Sequence, residues 1–136
     1  MLELALAVAI LALLIVVAVA SVYEHHTQKT KKQAIHRMQE VAEWLHMQRS
    51  ATHAGYAVLL PADWSTTQAD MGYRISLAKR PLMASDPKTL FPAAGVDTFT
   101  LIAEPESPDK CGALLLDHAG RRGVMGSEAS LADCWP

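Results

Sequence analysis

The chain has 136 residues, enough for one domain, and 51% of them are hydrophobic while only 6% are aromatic. A formal net charge of -2 gives no overall electrostatic attraction to nucleic acid. There is no GxSxG motif, no phosphate-binding glycine loop and no HExxH motif, which argues against the enzyme classes that use them. We therefore expect a protein that is not an enzyme, with no cofactor, no metal and no small-molecule substrate.

The aspartates offer no catalytic pattern either. They lie beside proline, glycine or small residues, where turn and capping roles explain them. The ones concerned are Asp63, Asp70, Asp86 and Asp97.

An uncharged segment runs from Leu4 to Val22, and Ser21 is its only polar side chain. At the helical rise these residues extend for about 28 Å, enough to cross the hydrocarbon core of a bilayer. We expect residues 1–23 to form an apolar helix that spans a membrane or lies in the core of a fibre.

Two simpler interpretations of this segment exist. One is an ordinary single-span anchor. The other is a cleavable secretory signal, because Ala18-Val19-Ala20 has the small-x-small form of a signal peptidase site. The signal interpretation is the weaker one, since Met1, Leu2 and Glu3 supply no basic residue before the apolar run.

Residues 24–52 are polar but keep a helical period. No proline or glycine interrupts them, and charged residues, Lys29, Lys31 and Lys32 among them, predict a solvated face. One helix from about 2 to 52 would be more than about 70 Å long, so half of it must project from a domain of this size. The apolar stripe on its other face is Ile35, Met38, Val41, Ala42 and Leu45.

Residues 53–136 contain short alternating runs separated by proline, glycine, aspartate and serine, a pattern typical of strands and turns. Alternating runs occur at 73–77, 98–103, 112–116 and 121–125, with a turn predicted at 117–120. These runs predict an antiparallel sheet of three or four strands, and the helical stripe is the long amphipathic surface available to cover one face of it. The expected fold is α+β, with the C-terminal half of the helix packed on the sheet and residues 53–136 forming a globular β head.

Both ends of the chain resemble the type IV pilin family. At the start, Glu3-Leu4 is followed by Ala5-Leu6-Ala7-Val8-Ala9-Ile10-Leu11-Ala12, similar to the pilin N-terminus. At the end, the pattern is similar to the final strands of minor pilins, where a Cys-Gly begins a strand and a Cys-Trp nearly ends the protein. The matching segments are Phe99-Thr100-Leu101, Asp109-Lys110-Cys111-Gly112, Leu114 to Asp117, Gly120 and Ala132-Asp133-Cys134-Trp135.

The resemblance implies a role for Glu3: its carboxylate would attract the α-amino group of a neighbouring subunit and set helix register during fibre assembly. It also implies that other pilin subunits and the assembly machinery are the partners. The protein would lie in the inner membrane, with a single span and its head in the periplasm, and then move to an extracellular pilus. In this alignment Met1 falls at the third mature position, so we expect a basic leader upstream of it.

Cys111 and Cys134 enclose 22 residues. Two free thiols are expected in a cytosolic protein, whereas an exported head favours a disulfide. A bridge closing a loop of this size would stabilise the fold by about 3 kcal/mol in the chain-entropy model.

Four basic residues could form a surface patch, as some minor pilins use for DNA uptake. They are Lys79, Arg80, Arg121 and Arg122. Charges that guard a solvated sheet edge are the commoner explanation, so nucleic acid is the less favoured partner. His46 and His53 are seven residues apart on one helix, but no acid or cysteine is placed with them to complete a zinc site.

The sequence thus predicts a minor pilin-like subunit acting by non-covalent assembly, in motility, adhesion or DNA uptake. Two alternatives remain open. One is a membrane-anchored periplasmic binding module, and the other is a pseudopilin of a type II secretion machine.

Overall fold

The computed structural model describes residues 1–56, 59–65 and 72–136. The first element is helix α1, Leu2–Thr52, which is 51 residues long and continuous. It ends where His53 adopts a left-handed conformation and its N–H donates to the carbonyl of Arg49. The helix predicted over 2–52 is confirmed.

The head contains a four-stranded antiparallel sheet in the order β1-β4-β5-β6 and a separate two-stranded hairpin of β2 and β3. The turn predicted at 117–120 is present, closed by Gly120 N–H donating to the carbonyl of Asp117. The strands are β1 Tyr73–Leu77, β2 Leu82–Met83, β3 Leu90–Phe91, β4 Thr100–Pro105, β5 Leu114–Asp117 and β6 Arg122–Val124. Two short helices complete the head, α2 Ala62–Ser65 and α3 Leu131–Cys134.

The C-terminal half of α1 covers one face of the sheet. The predicted stripe supplies the buried helix residues Ile35, Met38, Val41 and Leu45, with Ala42 partly buried. Strand pairing places their partners on a single face, because Ile75 lies opposite Ala103 and Leu101 lies opposite Leu116. The α+β architecture, with helix packed on sheet, is therefore confirmed.

The other face of the sheet is covered by the β2-β3 hairpin, which the sequence did not predict. Phe91 of the hairpin is fully buried, and so is Leu115 of β5. A Cβ on Gly123 would lie 2.6 Å from the Phe91 ring, so only glycine allows the ring this close to β6. The hairpin is joined to the sheet by Ser85 N–H, which donates to the carbonyl of Val124 over 2.7 Å.

The C-terminal segment closes the head beside β6. Helix α3 begins with a capping box between Ser130 and Asp133. Trp135 follows, is buried, and donates from Nε1 to the carbonyl of Gly123 over 3.0 Å. Trp135 thus packs the end of the chain against β6.

Candidate functional site

The N-terminal half of α1 is exposed from Leu2 to Val22. All side chains of residues 2–22 are exposed, and Leu13, for example, is 69% exposed. Within the part of the chain that the structure describes, α1 is the one helix long and apolar enough to cross a membrane by length and composition. The exposed apolar surface of this segment requires lipid or other protein around it.

Glu3 lies in the first turn of this exposed segment. No ion pair or hydrogen bond to its carboxylate is found among residues 1–56, 59–65 and 72–136. The helix dipole favours an acid in the first turn, by about 0.3–1 kcal/mol at exposed sites. The carboxylate is therefore free to meet a positive charge from outside the chain.

Lys31 was predicted on the solvated face, and that prediction is wrong. Its side chain is only 8% exposed, and its ammonium lies 3.2 Å from a carboxylate oxygen of Asp109, whose side chain is 7% exposed. The same nitrogen is 3.1 Å from Sγ of Cys111. The head folds over this point of the helix, which sequence periodicity could not reveal. We call Lys31, Asp109, Tyr73 and Cys111 the polar clamp.

The polar clamp connects three parts of the molecule. The Asp109 carboxylate accepts hydrogen bonds from the Tyr73 hydroxyl over 3.0 Å and from the Cys111 backbone N–H over 2.9 Å. Tyr73 begins β1, and Lys31 comes from α1. One carboxylate thus fixes the helix, the first strand and the disulfide segment together.

Protonation in the clamp follows from these contacts. Burial alone would raise the pKa of the Asp109 carboxyl. The hydrogen bonds that it accepts from Cys111 N–H, Tyr73 and Lys31, together with the positive charge of Lys31, outweigh burial and lower the pKa. The pKa of Tyr73 is raised, first by burial and then by the neighbouring Asp109 charge. The clamp therefore holds an ionised aspartate and a neutral tyrosine.

Cys111 and Cys134 form a disulfide, with their Cα atoms 5.8 Å apart, so the predicted staple is confirmed. Both residues are fully buried. Cys111 lies in a turn, where Gly112 has a φ of 60°, and the strand begins at Leu114. The expectation that Cys-Gly begins the strand is thus off by two residues. The bridge holds α3 against the clamp.

A groove lies where the exposed part of α1 enters the head, and we call it the collar groove. It has a volume of about 490 Å³ and runs between helix residues 23–31 and head residues 105–110 and 133–136. Tyr23 and Glu24 line its helix side, while Lys110 and Asp133 line its head side. The polar clamp closes its inner end, since Lys31, Tyr73 and Asp109 also line it.

The four predicted patch residues are not equivalent. Arg121 donates from Nε to the buried Asp117 carboxylate over 2.6 Å, so its charge is largely compensated. Arg122 stacks over the Trp135 ring at 5.3 Å. Lys79 and Arg80 are exposed on the connection after β1. No contact between the two pairs is seen in the described ranges.

The histidines have structural neighbours. His46 packs against Tyr56 and Phe99, and its Nδ1 lies 3.0 Å from the Tyr56 hydroxyl. His53 forms the left-handed end of α1. Among the residues that the structure describes, no three His, Cys, Asp or Glu side chains come together to hold a metal ion.

Three of the four aspartates examined for catalysis have local roles. Asp86 accepts from the backbone N–H of Lys88 and the hydroxyl of Thr89, Asp63 lies in the first turn of α2, and Asp97 pairs with Arg49. Asp70 lies outside the described residues.

Comparison of the chain with protein families, with curated proteins and with solved structures finds no match. The class of protein therefore follows from the molecule alone. It is an α+β protein with a long apolar N-terminal helix, an antiparallel sheet and one disulfide, compatible with a pilin-like shape.

Proposed function

We propose that the chain is a minor type IV pilin-like structural subunit, which assembles into an extracellular pilus or primes its assembly. The observation that carries this proposal is the contrast within one helix. Residues 2–22 of α1 are exposed, whereas the second half packs against a disulfide-bonded head. A bundle of such helices would hide the apolar halves and leave the heads outside.

Glu3 would direct the assembly. A charge within hydrocarbon costs about 2.5–3.5 kcal/mol at mid-bilayer on insertion scales, and less near an end. The approach of a neighbour's α-amino group would relieve this cost and favour one helix register over others. The partners would be other pilin subunits and the assembly machinery, with the inner membrane holding the subunit beforehand and its head in the periplasm.

The role is assembly without catalysis. The basic residues best placed to meet DNA are Lys79 and Arg80, because Arg121 is paired with Asp117 and Arg122 stacks on Trp135. Binding of nucleic acid therefore remains the less favoured activity.

The test is Glu3→Ala in the chain expressed from its own locus, with its upstream sequence, followed by shearing and immunoblotting of surface fibres. We expect about a tenfold loss of fibre-bound protein, the factor that corresponds to about 1.4 kcal/mol. The matched control is Glu43→Ala, an exposed glutamate of the same helix, which should assemble normally. Equal incorporation of both variants would contradict the proposal. Membrane retention of the wild-type chain without any fibre signal would favour an anchored binding module, and an effect on protein export would favour a secretion pseudopilin.

A further inference from the structure

The collar groove lies at the level of phospholipid headgroups when the apolar half of α1 spans a bilayer. Residues 2–22 extend for about 30 Å, the thickness of the hydrocarbon core, so Tyr23 reaches its outer boundary. Tyrosine is enriched at this boundary because its ring is apolar and its hydroxyl polar. The groove begins at Tyr23 and Glu24 and rises along α1 to Lys31.

The groove continues toward the hydrocarbon. A shallow depression lined by Val16, Val19 and Ala20 shares Tyr23 and Glu24 with the collar groove. The upper part is lined by charged and polar side chains and the lower part by small or apolar ones. This succession matches a molecule with a polar head and an apolar chain.

The charges in the groove are of both signs. Glu24 has no ion pair within the described part of the chain, and neither has Lys110. Asp133 stands on the same side as Lys110, and hydrogen bonds from Ser130, with a contribution from the Lys110 charge, lower its pKa. Lys31 and Asp109 already neutralise each other in the polar clamp. A ligand with one positive and one negative group would satisfy Glu24 and Lys110 together, whereas a purely anionic ligand would meet the two carboxylates.

We propose that the collar groove binds one phospholipid with a phosphoethanolamine headgroup. Lys110 contacts the phosphate and Glu24 accepts hydrogen bonds from the ammonium, while an acyl chain follows the depression along α1. The volume of about 490 Å³ lies within the range of small-molecule sites, roughly 300–1,000 Å³. Ethanolamine is favoured over choline because its ammonium carries N–H donors and the quaternary nitrogen of choline carries none. This inference rests on the membrane insertion included in the proposed function.

The test uses the full chain in detergent, mixed with equimolar phosphatidylethanolamine and phosphatidylcholine of identical acyl chains. Lipid retained by the protein is measured by native mass spectrometry. We expect phosphatidylethanolamine to be retained about threefold to fivefold more, the factor typical of one exposed charged contact. Phosphatidylglycerol in place of phosphatidylethanolamine should show no such preference.

Two variants separate the two contacts. Glu24→Gln should abolish the preference for ethanolamine, and Lys110→Gln should lower retention of both lipids while the preference remains. The matched controls are Glu43→Gln and Lys88→Gln, both exposed and outside the groove, and they should behave as the wild type. Equal retention of the two lipids by the wild type, or a preference that survives Glu24→Gln, would overturn the proposal. A lipid-independent dimer that covers the groove would also overturn it.

Flotation with phosphatidylcholine vesicles distinguishes this proposal from the proposed function. A chain that fails to float would end both proposals. A chain that floats without the lipid preference would end this one alone. A preserved preference in a chain absent from sheared fibres would support the lipid site and end the pilin proposal.

Discussion

The two halves of α1 are continuous in backbone but differ in what surrounds them. Met38, in the second half, is fully buried against the sheet, and Leu13, in the first half, is 69% exposed. No proline or glycine interrupts either half, so one continuous helix runs through both. The head therefore stabilises the second half, while the first half depends on lipid or protein supplied from outside the chain.

The boundary between the halves is marked by three lysines. Lys29 and Lys32 are exposed, while Lys31 enters the polar clamp. Burying the charged side chain of Lys31 in the head costs free energy unless Asp109 forms an ion pair with it. The clamp therefore fixes where along α1 the head begins.

The largest expected effect comes from breaking this clamp. Lys31→Met leaves the Asp109 carboxylate buried without its cation, and loss of one partner of a buried pair costs about 3–5 kcal/mol. The free energy of unfolding is measured by urea titration of the full chain in detergent, followed by tryptophan fluorescence. Lys29→Met is the control, expected to change stability by less than about 0.5 kcal/mol.

A double variant tests whether the loss of stability comes from the unpaired Asp109 charge. Lys31→Met combined with Asp109→Leu removes both charges and should recover part of the lost stability. Equal stability of Lys31→Met and Lys29→Met would show that the clamp does not hold the head on the helix.

The next largest effect is expected from a core substitution in the second half of α1, compared with a matched substitution in the first half. Met38→Ala opens a cavity between helix and sheet, and we expect a loss of about 2–5 kcal/mol in the same unfolding measurement. Leu13→Ala shortens an exposed side chain of the first half, so head stability should stay within about 0.5 kcal/mol. A similar loss in both variants would mean that the first half also packs on the head.

The disulfide should contribute a somewhat smaller amount. Cys111→Ala with Cys134→Ala removes the bridge that holds α3, and we expect a loss of about 3 kcal/mol. The double variant should still unfold cooperatively, because the helix-on-sheet core remains. Unchanged stability would show that the loop of 22 residues is held by its other contacts.

The smallest effect is the pH dependence of the clamp. The lowered pKa of Asp109 means that its contribution is present above the ordinary aspartate value of about 3.9 and is lost as the pH falls through the folded-state pKa. The raised pKa of Tyr73 means that its contribution is present below about pH 10 and is lost as the pH rises further. Urea titrations across this range should show both losses, and Tyr73→Phe should remove the alkaline one. An alkaline loss that persists in Tyr73→Phe would assign it to another group.

The periodicity of the sequence predicted the elements that can be recognised within one continuous segment. The stripe from Ile35 to Leu45 indicated the buried face of α1, and the alternation at 73–77 indicated β1. The β2-β3 hairpin escaped prediction because its strands have only two residues each, too short for a period to show. Its covering role depends on Gly123, which looks like an ordinary strand glycine in the sequence.

The candidate site was predictable only in part. Glu3 is conspicuous because it is a charge at the start of an apolar run. Lys31 is not, because its burial depends on Asp109, 78 residues away in the chain. The collar groove likewise forms from α1 and from head residues 105–110 and 133–136, which are far apart in the chain, so no local sequence pattern indicates it.

The most direct test of the pilin-like account is the location of the wild-type chain itself. The tagged chain is expressed from its own locus, and sheared surface fibres and membranes are probed with and without the prepilin peptidase, the enzyme that would remove the expected basic leader. A pilin-like subunit should be found in the fibre fraction and should be lost from that fraction when the peptidase is absent. Retention in the membrane under both conditions, with no change in fibre number when the gene is deleted, would contradict it.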